Sequence, residues 1–156
     1  MRKQNIQCTV AKYMRQTIAT LPFSATLRDA VAMMIQYNTN GLVVVDDDRK
    51  VTGILSSWDI IQHIVPNYLE EDKHLASFEA GDVFAQRTRE VANDPITKFM
   101  TAKVKTVNQK DTLMEAAALL SEFRIRQLPV VDDDGHLVGY INRTDIKRAV
   151  GSILVP

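Results

Sequence analysis

Two short segments of the chain place a polar, helix-starting residue three positions before a carboxylate. Ser56 precedes Asp59, and Asn142 precedes Asp145. A carboxylate can accept charge-assisted hydrogen bonds from two adjacent hydroxyls, so each aspartate is a candidate to hold a sugar diol. A helix that begins here also offers free backbone N–H groups to a phosphate. The same spacing is typical of a helix N-cap that needs no ligand, and both interpretations stay open.

Other residues that are able to do chemistry do not form a recognisable site. The aspartates at 46–48 and 132–134 lie where a hairpin must turn, so we interpret them as turn residues rather than cation ligands. His63, His74 and His136 lack the spacing of zinc ligands. No catalytic-serine, dinucleotide-binding or phosphate-loop motif occurs. The sequence therefore predicts a protein that is not an enzyme and holds no metal.

Composition narrows the class of protein further. Apolar residues make up 46% of the 156 residues and charged residues 24%, which is typical of a globular chain. Nineteen basic residues balance nineteen acidic ones, which disfavours nucleic acid as a partner. No apolar run is long enough to cross a membrane, and no signal peptide is recognisable. A single cysteine, Cys8, has no internal partner, so we expect a reducing cytoplasm.

An internal repeat organises the chain. Residues 10–64 align with residues 96–150 at a constant offset of 86, with 16 identities in 55 positions. The longest match is Val44–Asp48 with Val130–Asp134, and Gly53 matches Gly139. Two copies are too few for a solenoid, so we expect two half-cores packed together. Residues 65–95 form an acidic connector with three basic and seven acidic residues, for which we predict one or two short helices.

Each repeat predicts the order β-α-β-β-α. A capping box opens the first helix, since Thr26 is followed by Asp29 and Thr112 by Glu115. Gly135 closes the second of the two aspartate turns. The predicted strands are 18–21, 42–45 and 51–55 in the first repeat and 104–107, 128–131 and 137–141 in the second, with final helices over 57–64 and 143–150.

The repeated unit resembles the cystathionine β-synthase (CBS) domain, whose paired form is called a Bateman module. The resemblance covers residues 10–64 and 96–150, and the stretch 123–146 is similar to the central block of the family. The family's ligand signature is Gly, two residues, Ser or Thr, two residues, Asp. Gly53-Ile-Leu-Ser-Ser-Trp-Asp59 fits it fully, whereas Asn142 replaces the hydroxyl residue in the second copy.

The resemblance implies an α+β fold of tandem β-α-β-β-α repeats packed as a pseudo-two-fold CBS-domain pair. It implies clefts between the repeats that bind an adenosine-containing regulatory ligand: AMP, ADP, ATP or S-adenosylmethionine. In each cleft the signature aspartate would hold the ribose hydroxyls, and backbone segments would bracket the adenine. The residues carried over are Thr17, Ile18, Thr20, Gly41, Leu42, Val43, Ser56, Trp58 and Asp59 for the first site, and Lys103, Val104, Thr106, Gln127, Leu128, Pro129, Asn142, Thr144 and Asp145 for the second.

Three further expectations concern phosphate, packing and partners. Arg126, Arg143 and Lys147 are the basic residues that we expect to meet a phosphate. Trp58 either stacks on adenine or packs in the core, and we favour packing. The resemblance implies a homodimer, and since the sequence shows no effector domain we expect signalling to an effector protein that it does not identify. The alternative is a structural dimerisation or docking module with vestigial, ligand-free clefts.

Overall fold

The computed structural model describes residues 7–79, 81–123 and 125–155. The chain divides into two compact units that exchange segments along the sequence. Among the described residues, the Asp59 unit consists of Ala19–Asp46 and 52–103, and the Asp145 unit consists of 7–18, Asp47–Val51 and 104–155. The start of the first repeat, up to Ile18, therefore folds with the second repeat, which the repeat pattern did not predict.

The Asp59 unit contains a three-stranded sheet in the order β1-β2-β3. The first two strands are parallel, with Thr20 opposite Val43. The connector, residues 65–95, supplies two α-helices, as the sequence predicted, and one 3-10 helix. The elements are β1 (Thr20–Pro22), α2 (Leu27–Tyr37), β2 (Gly41–Val45), β3 (Val51–Ser56), α3 (Ser57–Ile64), α4 (Asn67–Glu71), a 3-10 helix (Lys73–Phe78), α5 (Val83–Val91) and a 3-10 turn (Ile96–Lys98); α1 (Val10–Tyr13) precedes them in the other unit.

The Asp145 unit repeats this plan with the sheet order β4-β5-β6. Strand β4 runs parallel to β5, and β6 runs antiparallel to β5 with Val130 opposite Gly139. The β-α-β-β-α order predicted for both repeats is thus confirmed, within a mixed α/β fold. The elements are β4 (Val107–Asn108), α6 (Leu113–Glu122), β5 (Gln127–Val131), β6 (Leu137–Asn142) and α7 (Arg143–Leu154).

Both first helices begin at the predicted capping boxes. The backbone N–H of Thr26 donates to Asp29 Oδ2 at 2.9 Å, and that of Thr112 donates to Glu115 Oε2 at 2.7 Å. These hydrogen bonds lower the pKa of both carboxyl groups below the usual range, because they favour the ionised form. The caps fix where each helix leaves its strand, and therefore how the following strand enters the sheet.

Each unit has its own hydrophobic core. Apolar side chains that alternate along the strands meet apolar side chains that recur every three or four residues along the helices, on the inner face of each sheet. The core of the Asp59 unit contains Leu21, Ala25, Ala30, Met34, Leu42, Val44, Leu55 and Ile96. The core of the Asp145 unit contains Val10, Tyr13, Val107, Leu113, Ala116, Leu120, Leu128, Val130, Ile141 and Ala149.

The element boundaries differ most from the predicted ones at the first strands and at the last helix. The first strands start later than expected, at Thr20 and Val107, because the parallel pairing with the neighbouring strand begins at these residues. The last helix continues to Leu154 instead of ending at Val150. There the Ser152 hydroxyl lies 3.2 Å from the Tyr13 hydroxyl of α1, so the extra turn contacts the start of the first repeat.

The aspartates at 46–48 and 132–134 lie at hairpin turns, as predicted. The two turns differ in the residue that adopts a positive φ. Gly135 has a φ of +85°, and Arg49, its counterpart at the offset of 86, has a φ of +59°. Glycine adopts this left-handed conformation readily, whereas arginine does so at some energetic cost. The backbone carbonyl of Arg49 accepts from the N–H of Leu137 at 3.0 Å, which ties this turn to the Asp145 unit.

Within the described residues, none of the helices has both the length and the apolar character that a membrane span requires.

Candidate functional site

The two signature glycines lie where a second chain segment passes very close. A Cβ atom on Gly53 would lie 2.6 Å from the Met100 sulfur, and one on Gly139 would lie 2.8 Å from the Arg15 carbonyl oxygen. Only glycine fits against such neighbours without displacing them. In each unit the glycine therefore lets the segment that ends in Met100–Thr101 or Met14–Arg15 lie directly on the third strand.

These two segments make equivalent backbone pairings. The N–H of Thr101 donates to Ile54 at 2.9 Å and Ile54 donates back at 2.9 Å. The N–H of Arg15 donates to Tyr140 at 2.8 Å and Tyr140 donates back at 3.0 Å. The side chains of Thr101 and Arg15 thus leave equivalent backbone positions, close to where each third strand leads into the helix that carries the signature aspartate.

Asp59 completes the cap of α3 with one of its two oxygens. Asp59 Oδ2 accepts from the Ser56 N–H at 2.8 Å and from the Ser56 hydroxyl at 2.9 Å. Among the residues that the structure describes, none donates to Asp59 Oδ1, and the side chain is partly exposed. The capping role is therefore real, and it leaves one carboxylate oxygen available to an external donor.

Asp145 makes the same cap but is fully engaged. Asp145 Oδ2 accepts from the Asn142 N–H at 2.9 Å, and Asn142 Oδ1 accepts from the Asp145 N–H at 3.1 Å. Asp145 Oδ1 accepts from Arg15 Nε at 2.9 Å, and Arg148 Nη2 lies 3.5 Å from the same oxygen. The Asp145 side chain is 0% exposed, so neither oxygen is open to solvent.

Arg15 is the residue that the sequence interpretation missed. Its side chain is 42% exposed and forms the ion pair with Asp145, which raises the pKa of Arg15 above its usual value. The signal was present in the repeat alignment, where Arg15 stands opposite Thr101 next to the matched pair Met14 and Met100. The position of Arg15 beside Gly139 of the second repeat becomes apparent only when the start of the first repeat is known to fold against that strand.

The remaining predicted site residues divide between the units. Leu42, Val43, Leu128 and Pro129 are buried as whole residues, with less than 2% of each exposed. The Asp59 unit contains Thr20, Gly41, Leu42, Val43, Ser56, Trp58, Asp59 and Lys103; the Asp145 unit contains Thr17, Ile18, Val104, Thr106, Arg126, Gln127, Leu128, Pro129, Asn142, Arg143, Thr144, Asp145 and Lys147. Thr17 and Ile18, assigned to the first site, thus fold with the second aspartate, and Lys103 folds with the first.

Trp58 does not pack in a core, contrary to the interpretation that we favoured. It is the second residue of α3, and it is 64% exposed. Residues Ser57 to Ile64 contribute no fully buried side chain, because this short helix lies at the surface of its unit. Arg126, Arg143 and Lys147, the expected phosphate contacts, are also exposed.

Two polar clusters outside the signature are accounted for by local structure. Asp132, Asp134 and His136 bring ligand atoms within 4.8 Å of one another, but Asp132 Oδ1 already accepts the N–H groups of Asp134 and His136 that build the turn. His63 Nε2 lies 2.8 Å from Asp94 Oδ2, and its ring stacks on Phe99 at 4.4 Å. The hydrogen bond from His63 lowers the pKa of Asp94, so this contact joins α3 to the connector.

The family model of the CBS domain matches the chain twice, over residues 10–66 and 96–152. The chain belongs to the CBS domain family. The matched segments contain both glycine-to-aspartate signatures, and the sheets and capped helices described above are the two copies of the CBS fold.

Several known CBS proteins are similar to this chain over most of its length. The chloroplastic CBS domain-containing protein CBSX1 of Arabidopsis thaliana is 28% identical over 152 residues, which cover 90% of this chain and 63% of that protein. The chain therefore spans less than two thirds of the length of this relative.

Solved structures of CBS pairs align with the chain as a whole. CBSX2, a protein from Arabidopsis thaliana, in complex with AMP is 29% identical with a TM-score of 0.71, covering 94% of this chain and 98% of that one. The CBS pair of protein MJ0100, in complex with 5′-methylthioadenosine and S-adenosylmethionine, is 26% identical with a TM-score of 0.67, covering 92% and 99%.

Proposed function

We propose that the chain is a regulatory CBS pair that binds one adenosine-containing ligand through Asp59. The observation that carries the proposal is Asp59 Oδ1, to which no described residue donates, on a partly exposed residue whose other carboxylate oxygen is already fixed by Ser56. A carboxylate held rigidly by its own cap presents its other oxygen with little loss of conformational entropy on binding. Ribose is the ligand group that matches it, because its hydroxyls donate to an ionised acceptor.

The choice of ligand class is supported by the relatives. CBSX2 binds AMP in its structure, and the MJ0100 pair binds 5′-methylthioadenosine and S-adenosylmethionine. These ligands share adenosine and differ beyond the 5′ carbon. The shared part is what a ribose-holding aspartate recognises, so AMP, ADP, ATP and S-adenosylmethionine all remain candidates for this chain.

The position of Ser56 supports a 5′ phosphate near the start of α3. This helix has eight residues and begins directly at Ser57, so its first backbone N–H groups and its dipole favour a negative charge. Ser56 also occupies the place of the hydroxyl residue in the family signature. A nucleotide that holds its ribose on Asp59 would present its phosphate to this end of the helix.

A docking module without ligand is the second candidate, and the capping geometry favours it. Both signature aspartates complete capping boxes, and Asp145 is buried against Arg15. These contacts stabilise the helices with no nucleotide bound. In this alternative the chain acts only by associating with other chains.

A thermal-shift panel separates the two candidates. The panel contains AMP, ADP, ATP, S-adenosylmethionine and NADH, with guanosine monophosphate as the control. A ligand present at 100 times its dissociation constant adds about 2.7 kcal/mol to the free energy of unfolding. We expect a saturable rise in melting temperature with at least one adenosine ligand and none with the guanosine control. No rise with any ligand at millimolar concentration would favour the docking module.

Association with a second copy is the other part of the proposal. Several helices expose large apolar side chains, including Ile35 of α2 at 75% and Met114 of α6 at 78%. Exposed apolar patches of this kind mark interaction surfaces, and a two-fold pair is the commonest closed assembly. We expect light scattering to give twice the 17.6 kDa mass of the chain. A single 17.6 kDa species at tens of micromolar would contradict the homodimer.

The output of the module passes, in this proposal, through a separate effector protein. In the same proposal the chain acts in the cytoplasm. The two related CBSX proteins are described as chloroplastic.

A further inference from the structure

Arg15 and Thr101 stand at matching positions of the two repeats. Both make reciprocal backbone hydrogen bonds with the residue that follows a signature glycine, Tyr140 for Arg15 and Ile54 for Thr101. Their side chains therefore start from equivalent points relative to the signature aspartate of the same unit. The two positions differ in the length and charge of one side chain.

The two signature carboxylates differ in the partners they have at this position. The long cationic side chain reaches Asp145, and Arg15 Nε donates to Asp145 Oδ1 at 2.9 Å. The short hydroxyl side chain of Thr101 makes no hydrogen bond to Asp59 within the part of the chain that the structure describes. The side chain of Asp145 is 0% exposed, whereas Asp59 is partly exposed.

We infer that Arg15 is an internal competitor that occupies the ribose-holding carboxylate of Asp145 and limits the chain to one adenosine ligand, bound at Asp59. This inference rests on the proposed function and adds the residue that determines which of the two positions is open. A guanidinium is always charged and donates a directional hydrogen bond to a carboxylate, so it competes well with a neutral diol. A ligand at Asp145 must displace Arg15, whereas a ligand at Asp59 displaces only water.

The repeat supplies the matched variants that test this inference. Arg15→Thr gives the second unit the residue that the first unit has, and Thr101→Arg gives the first unit the residue that the second has. Thr101→Gln is the control for Thr101→Arg, because it adds length without charge. Each variant is titrated with AMP in a calorimeter, after its melting temperature has shown that it is folded.

The expected results differ in stoichiometry and in affinity. The unchanged chain binds one AMP per chain, Arg15→Thr binds two, and Thr101→Arg loses at least tenfold in affinity while Thr101→Gln stays within about threefold of the unchanged chain. A second substitution, Asp145→Asn, returns Arg15→Thr to one AMP per chain. If Arg15→Thr fails to fold, the loss in Thr101→Arg with retention in Thr101→Gln supports the inference by itself.

Two outcomes overturn the inference while the proposed function stands. The first is a folded Arg15→Thr chain that still binds one AMP, or an unchanged chain that already binds two. The second is Thr101→Arg with unchanged affinity. A lack of AMP binding by the unchanged chain and by every variant would instead overturn the proposed function, and the inference with it.

Discussion

Replacement of Asp59 by asparagine is expected to lower the affinity for AMP by about 10- to 150-fold, since a hydrogen bond to a charged group is worth roughly 1.5–3 kcal/mol. The asparagine keeps the cap, because its amide oxygen accepts from the Ser56 N–H as Asp59 Oδ2 does. The amide NH2 then replaces the free carboxylate oxygen and offers the ribose hydroxyls no acceptor.

The same change at the second repeat is the internal control. Asp145→Asn is expected to leave the affinity for AMP within about threefold of the unchanged chain, because both oxygens of Asp145 are occupied by Asn142 and Arg15. Calorimetric titration of both variants checks the pair. Equal losses at the two positions, or no loss at Asp59, would contradict the assignment of the ligand to Asp59.

Removal of the Arg15 side chain is expected to lower the stability of the protein. Arg15→Ala leaves a buried carboxylate with the more distant Arg148, at 3.5 Å, as its remaining cation. Loss of one partner of a fully buried pair costs about 3–5 kcal/mol. Arg15 is 42% exposed, so solvent weakens the pair and we expect about 1.5–3 kcal/mol, the range for a charged hydrogen bond.

Thermal unfolding checks this expectation directly. A loss of 1 kcal/mol lowers the melting temperature by roughly 2–4 °C in a domain of about this size. Thr101→Ala is the control, because it shortens the matching side chain where no ion pair exists. Melting temperatures that fall equally in the two variants would show that the ion pair contributes no specific stability.

The sequence predicted the repeated elements well because their signals are local. Thr26 with Asp29 and Thr112 with Glu115 lie within one helical turn of each other, and both boxes form as expected. The apolar runs at Val44–Val45 and Val130–Val131 become central strands for a similar reason, since alternation and turn residues are encoded by neighbours in the chain.

The exchange of segments between the units was not predictable from local signals. Arg15 and Asp145 are 130 positions apart, and only the folded chain brings them within 2.9 Å. Repeat periodicity gave the boundary near residue 10 but carried no information on which sheet that segment joins. The exposure of Trp58 was missed because an aromatic residue in a short helix is compatible with both a core and a surface position.

The ranking of the two candidate sites also needed the structure. Ser56 favoured the first site and the basic residues of the second repeat favoured the other, so composition left them even. The ion pair between Arg15 and Asp145 distinguishes the two sites, because it makes Asp145 the less accessible carboxylate. The second signature itself departs from the family pattern only at Asn142.

Calorimetric titration of the unchanged chain with AMP and with its 2′-deoxy analogue tests the central claim most directly. The two ligands have the same base and phosphate. They differ only in the 2′ hydroxyl, which in this account donates a hydrogen bond to Asp59 Oδ1. The account predicts saturable binding of one AMP per chain and an affinity for the deoxy analogue that is at least tenfold lower. Equal affinity for the two ligands, or no saturable binding of AMP, would contradict it.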